Sequence, residues 1–320
     1  MIAVVLRFGR PWTVLALVVL SACRSAVDPE SWSKTDRTGY LGLESSLASS
    51  VPGAGAPAEP FTQGMVAGST NPFAVHAGLE MLKSGGSAAD AALTTALTQV
   101  ALSAGAAVSY AGILTGLYYD ANSQTVYSLN AAWNTLQNEK DPLTIPGPQT
   151  SSGRSVLVSG LMAGVEALHG KFGRKRFATM FEPAIWIAEH GFPLEGAVDS
   201  WLQSQRGVLS RLDETSRIFT KPNREFYQTG DQFRQPELAV TLRQVAKQGA
   251  PYMYTGEWAR RFVEIVGREG GKVTLDDMAR YQPIWSAPSR VTYHGHDVVS
   301  LGEPSFGGIE TLASLITRQV

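Results

Sequence analysis

The stretch Ser69–Leu102, "STNPFAVHAGLEMLKSGGSAADAALTTALTQVAL", constrains the fold more than any other part of the chain. It predicts two helices joined by a tight turn. Pro72 sits where a first helical turn accepts proline, Val75, Leu79 and Leu82 fall on one face, and Gly85 can stop the run. Ser87 and Asp90 have capping-box spacing at the start of the second helix. There Leu93, Leu97 and Val100 make an apolar stripe, and the many alanines let another layer come close.

A hairpin follows in "GILTGLYYDANSQTVYSL", with its turn at Asp120–Ser123. "SVLVSG" reads as a buried strand leading into the helix "LMAGVEALHGKFG". Further helices are expected over Glu182–His190, Pro236–Gln248, Glu257–Arg268 and Thr274–Tyr281, the last opening on Thr274 and Asp277 at capping-box spacing. "RVTYHGHDVVSLG" is a second hairpin about Gly295, and "GIETLASLITRQV" ends the chain as an apolar helix. Helix pairs, then hairpins, then helices point to layered α+β packing and not to a parallel βαβ array.

The first 23 residues read as a leader: Arg7 and Arg10, the short apolar run "PWTVLALVVL", then "LSAC". So short a run suits a signal peptide better than a membrane span. An ordinary secretory signal or N-terminal anchor fits, but Leu20-Ser21-Ala22-Cys23 resembles the bacterial lipobox. That resemblance implies lipidation of Cys23 and a lipid anchor at the membrane of an exported protein. Residues 24–62, rich in Ser, Ala, Gly and Pro, read as a flexible tether, leaving 63–320 as the folded domain. Cys23 is the one cysteine, so no intramolecular disulfide is available. With 27 Lys+Arg against 28 Asp+Glu, the formal net charge is −1, which argues against a broad electrostatic grip on nucleic acid or anionic lipid, and no nucleic-acid partner is expected.

Five stretches in order resemble the large-subunit half of the gamma-glutamyltransferase family. They are "MVAGSTNPFAVHAGLEMLKSGGSAADAALTTAL", "FEPAIWIAEHGFPL", "GDQFRQPELAVTLRQVAKQGAPYMYTGEWA", "GGKVTLDDMARYQP" and "YHGHDVVSLGEPSFGG". The resemblance covers nearly all of residues 65–320. It implies an αββα sandwich of the N-terminal-nucleophile hydrolase type, incomplete in this chain, with no cofactor. It also implies a gamma-glutamyl amide such as glutathione as substrate, and a small-subunit segment or chain as partner. In that family a self-cleaved precursor exposes an N-terminal threonine, whose own α-amine can take the hydroxyl's proton. That nucleophile is expected beyond Val320, so no catalytic residue is assigned here. Thr94, Thr95 and Thr274 read as helix-surface or cap residues. The competing reading is a non-catalytic relative that acts as a binding lipoprotein.

The loop in "VYSLNAAWNT", Val126–Thr135, is the candidate substrate-binding segment. By the resemblance, this strand runs into an arginine that grips the substrate's α-carboxylate, a task suited to a bidentate guanidinium. Aligning Tyr127, Leu129 and Asn130 puts Ala132 at that position. Asn130 and Asn134 can still donate hydrogen bonds, and Arg154 could reach in from another segment. The glycine-rich segment expected before the first hairpin is eroded to "GAAVSYAGILTG". Its Gly105, Gly112 and Gly116 fit equally as close-packing or bulge residues.

His294 and His296 flank Gly295 and read as turn residues in preference to metal ligands; no metal is expected. Arg174, Lys175 and Arg176 form a basic loop, solvated on the plain reading and weakly attractive to anionic headgroups on the alternative. The aromatics of "PYMYTGEW" read as a packing anchor. Gly307 and Gly308, after Ser305, are expected to supply positive φ. An apolar surface left bare on the terminal helix would favour pairing or aggregation.

Overall fold

The computed structural model describes residues 25–34, 37, 66, 68, 71–106, 108–147 and 150–317. Cys23, the rest of the leader and residues 38–62 of the expected tether lie outside them. The chain runs α1 (Pro72–Lys83), α2 (Ala88–Leu102), β1 (Leu114–Asp120), β2 (Thr125–Ala131), α3 (Leu161–Phe172), α4 (Glu182–His190), β3 (Phe192–Pro193) and α5 (Gly196–Ser204). There follow α6 (Arg206–Leu209), α7 (Asp213–Phe219), β4 (Gln232–Phe233), α8 (Pro236–Gln248), α9 (Pro251–Tyr254), α10 (Glu257–Arg268) and α11 (Leu275–Ala279). The described chain ends with β5 (Ile284–Ser286), β6 (Ser289–Tyr293), β7 (His296–Ser300) and α12 (Phe306–Thr317).

The helix pair forms as its caps dictate. The Asn71 side chain accepts from the Phe73 amide to open α1, and Ser87 and Asp90 exchange both capping-box bonds to open α2. Leu93, Leu97 and Val100 are buried as expected. The buried face of α1 is not the Val75–Leu79–Leu82 stripe, however, but the one carrying Phe73, Ala77 and Met81. Gly78 decides this: a Cβ there would run into Thr95 and the Ala91 carbonyl, so the glycine lets α1 lie directly on α2.

The central sheet has the antiparallel order β1-β2-β5, with Leu114 opposite Ala131, Tyr118 opposite Tyr127 and Leu129 opposite Trp285. Residues directly opposite share a face. One face therefore carries Leu114, Tyr118, Tyr127, Leu129 and Trp285, and α3 covers it. Phe172 of α3 stacks on Tyr118 with centroids 3.8 Å apart, and Lys171 lies 4.1 Å over the Tyr127 ring. The other face carries Leu117, Tyr119 and Ile284, which are 42%, 58% and 47% exposed. On α12, Phe306 is 82% exposed and Ile309 and Ile316 are also bare. Helices cover one face of this central sheet, and its other face is largely open among the described residues. At the centre of that face Ser128 is buried, its Oγ accepting from the Gly302 amide at 3.0 Å.

Three expectations need correction. Residues 25–33 are not tether: Val27 is fully buried and Trp32 nearly so. The Trp32 ring meets Phe73 at 5.1 Å and His76 at 4.6 Å, and burying two such side chains contributes about 1.5–3 kcal/mol each. "SVLVSG" is not a strand. Gly153–Ser155 is a 3-10 turn, and Val158 makes only a bridge to Asn134. The reason is that neighbouring amides are taken elsewhere: Gly153 donates to Glu269, and Gly160 and Leu161 both donate to Gly112. Gly307 and Gly308 lie in α12 without positive φ; Gly308 is needed because a Cβ would strike the Leu301 carbonyl. The second hairpin turns as read, on His294 at φ 48° and Gly295 at φ 78°.

Candidate functional site

The loop after β2 is held from three sides. The Asn130 side-chain oxygen accepts from the Ala132 amide at 2.9 Å, which bends the chain out of the strand. The Ala132 carbonyl accepts from the Tyr281 hydroxyl at 2.5 Å. Asn134 and Val158 exchange backbone bonds of 2.9 and 3.1 Å. Gly160 fits underneath, where a Cβ would overlap Tyr281 and the Ala131 carbonyl. Tyr281 stacks on Tyr254 at 5.3 Å, and Tyr254 donates to the Ser159 carbonyl at 2.8 Å. Burial pushes the Tyr281 phenol up to about 12 and raises Tyr254 further, so both stay protonated donors.

Asn130 is nearly buried, Ala132 partly so, and Trp133 and Asn134 are exposed, Trp133 by 54%. Ile113, one residue before the Leu114–Ala131 pair, is also exposed. The lip of the sheet at Ala132 is thus uncharged and partly apolar. Arg154, the cation the sequence offered for this lip, is engaged elsewhere. Its guanidinium holds Glu139 at 2.8 and 3.2 Å and donates to Asp141 and Thr144 within its own loop. Sequence reading missed Tyr281, Gly160 and Trp133. Only tertiary contact reveals the first two, whereas Trp133 could have been noted beside Ala132.

Glu139 anchors this rim. Its side chain is 8% exposed and also bonds Lys272 at 2.9 Å. The Arg154 and Lys272 hydrogen bonds lower its carboxyl to about 2. A depressed folded-state value means the stabilisation is complete above the unfolded value near 4.5 and is lost as pH falls through about 2. Glu139→Gln should therefore lower the melting temperature at pH 6–7, with the gap from wild type narrowing below about pH 4.5. A gap that widens on acidification would contradict this assignment, and thermal melts from about pH 2 to pH 7 measure it.

Thr94 and Thr95 bond their own helix at the Asp90 and Ala91 carbonyls, and Thr274 caps α11. None is presented as a nucleophile. Among the described residues no group of three or more His, Cys, Asp or Glu side chains could hold a metal ion. No helix among them is long and apolar enough to cross a membrane.

A helix layer on one face of an antiparallel sheet, with the other face open, is the first part of the N-terminal-nucleophile hydrolase sandwich. The gamma-glutamyltranspeptidase profile matches residues 74–319, and the chain belongs to that family. It is 33% identical over 239 residues to a glutathione hydrolase proenzyme of Pseudomonas sp. (strain A14), covering 72% of this chain and 41% of that protein. Against the Bacillus subtilis (strain 168) glutathione hydrolase proenzyme it is 28% identical, covering 79% of this chain and 44% of that protein. The crystal structure of Helicobacter pylori gamma-glutamyltranspeptidase superposes with a TM-score of 0.72 at 28% identity. That match covers 80% of this chain and 74% of the other. The chain thus spans less than half the length of these curated relatives.

Proposed function

We propose that this chain is the large-subunit part of an acyltransferase or hydrolase acting on gamma-glutamyl amides, completed by a threonine-led segment. The open sheet face and bare α12 residues carry this reading, because they offer the surface a second sheet needs. In the complete protein, the threonine hydroxyl attacks the amide carbonyl while its α-amine takes the proton. The amine leaving group departs with a proton, and water or an amino acid then resolves the ester. The residues of this chain form the rim at Ala132. A substrate α-carboxylate there meets no guanidinium among the described residues of the rim, only hydrogen-bond donors.

We further propose that Cys23 carries acyl chains and tethers the protein to a membrane, the reading its "LSAC" context supports. A non-catalytic binding role is the second reading, favoured by Ala132 and by the commitment of Arg154 to Glu139. A chromogenic gamma-glutamyl anilide separates the two. The 320-residue chain alone should release no anilide, and release should begin when a threonine-led complement is assembled with it. Turnover by the chain alone would overturn the proposal, and an inactive assembled complex would favour the binding role.

A further inference from the structure

The segment that follows Cys23 is docked, and it is docked beside a basic loop. Ser25 lies against the Glu182 carboxylate in the first turn of α4. The segment then follows that helix to its end, where Glu30 accepts from the Trp186 indole at 2.6 Å and stands 3.9 Å from His190. Val27 and Trp32 pin it into the core. Cys23 is two residues from Ser25, and two residues of chain span at most about 7 Å. A lipid on Cys23 would therefore hold the first turn of α4 close to the bilayer, with no long tether between.

That same corner carries Arg176, which acts electrostatically on Glu182; Arg174 lies two residues before it in sequence and acts on Tyr118. Both side chains are exposed, and neither has an ion-pair partner among the described residues. Their backbone is fixed, because the Arg174 and Lys175 amides donate to buried Asp90 at 2.9 and 3.2 Å. Two independent observations, the short docked leash and the exposed arginines beside Glu182, converge on one face.

We infer that the corner formed by Ser25, Arg174, Arg176 and the start of α4 is a membrane-facing surface that rests on anionic lipid headgroups. This rests on acylation of Cys23. Exposed guanidinium groups within a Debye length of a negative leaflet are drawn to it. The domain is then held in one orientation, and the open sheet face keeps a fixed relation to the bilayer.

The test uses the full acylated protein in vesicles of about 70% phosphatidylethanolamine and 30% phosphatidylglycerol, an anionic leaflet. The exposed Ala178, two residues beyond Arg176, is replaced (Ala178→Cys) and labelled with a donor dye. Cys23, the only native cysteine, is blocked by its lipid. Energy transfer to headgroup-labelled acceptor lipid should be strong. It should fall at least about twofold when about 20 Gly/Ser residues are inserted between Arg24 and Ser25, a change that leaves the folded part untouched. Arg174→Glu with Arg176→Glu should lower it further in the spacer variant, as should salt. Weak transfer in the unmodified acylated protein, or transfer indifferent to the spacer, would overturn the inference. Failure of the acylation reading looks different: mass spectrometry finds an unmodified Cys23 and the protein does not float with vesicles.

Discussion

Asp90→Ala is expected to lower the melting temperature of the chain by roughly 6–12 °C. Asp90 is fully buried, and its Oδ2 accepts from three backbone amides: Ser87 at 2.8 Å, Arg174 at 2.9 Å and Lys175 at 3.2 Å. One carboxylate thus caps α2 and ties the loop after α3 to it. Removing it strands three donors, at about 1 kcal/mol or more each, and a protein of this size shifts by about 2–4 °C per kcal/mol. Asp90→Asn keeps an acceptor oxygen and should lose less. Calorimetry of both variants is the measurement. A shift below about 2 °C for the alanine variant would mean that the loop finds other acceptors at little cost.

On the proposed function, Ala132→Arg in the assembled protein should increase kcat/KM for gamma-glutamyl amides by about 30-fold or more. A desolvated, charge-assisted bidentate contact contributes on the order of 2–5 kcal/mol, and about 1.4 kcal/mol is a factor of ten. The loop geometry favours the experiment, since position 132 is bonded through its backbone to Asn130 and Tyr281 and its Cβ plays no part in either bond. An acyl amide that lacks the α-carboxylate should gain nothing. Equal gains for both substrates, or for neither, would show that position 132 does not face the carboxylate.

Much of the architecture was legible because local signals agreed with the tertiary outcome. Ser87 and Thr274 cap the helices their spacing announced, and both hairpins turn where Asp120–Ser123 and Gly295 place them. The buried face of α1 was misread because small residues, not large ones, chose it: Gly78 and Ala74 admit α2 where Leu79 could not. Residues 196–219 carried no strong periodicity, yet they form three short helices. The Phe192–Phe233 pairing joins segments some forty residues apart, and only the fold brings them together. Compositional bias hid Val27 and Trp32, because two anchoring residues in a polar stretch do not alter its average. The loop at Ala132 was chosen from the sequence alone, whereas its fixation by Tyr281 depends on a contact across 149 residues.

The bond from Gly302 to Ser128 has a consequence for assembly. It lays a turn of chain across the middle of a face otherwise open among the described residues, and that turn cannot carry a Cβ at Gly302 without striking the Ala287 carbonyl. An incoming layer must therefore straddle a built-in ridge. On the proposed function, a partner notched at the matching place would seat flush there, and the ridge would act as a locating key for its register.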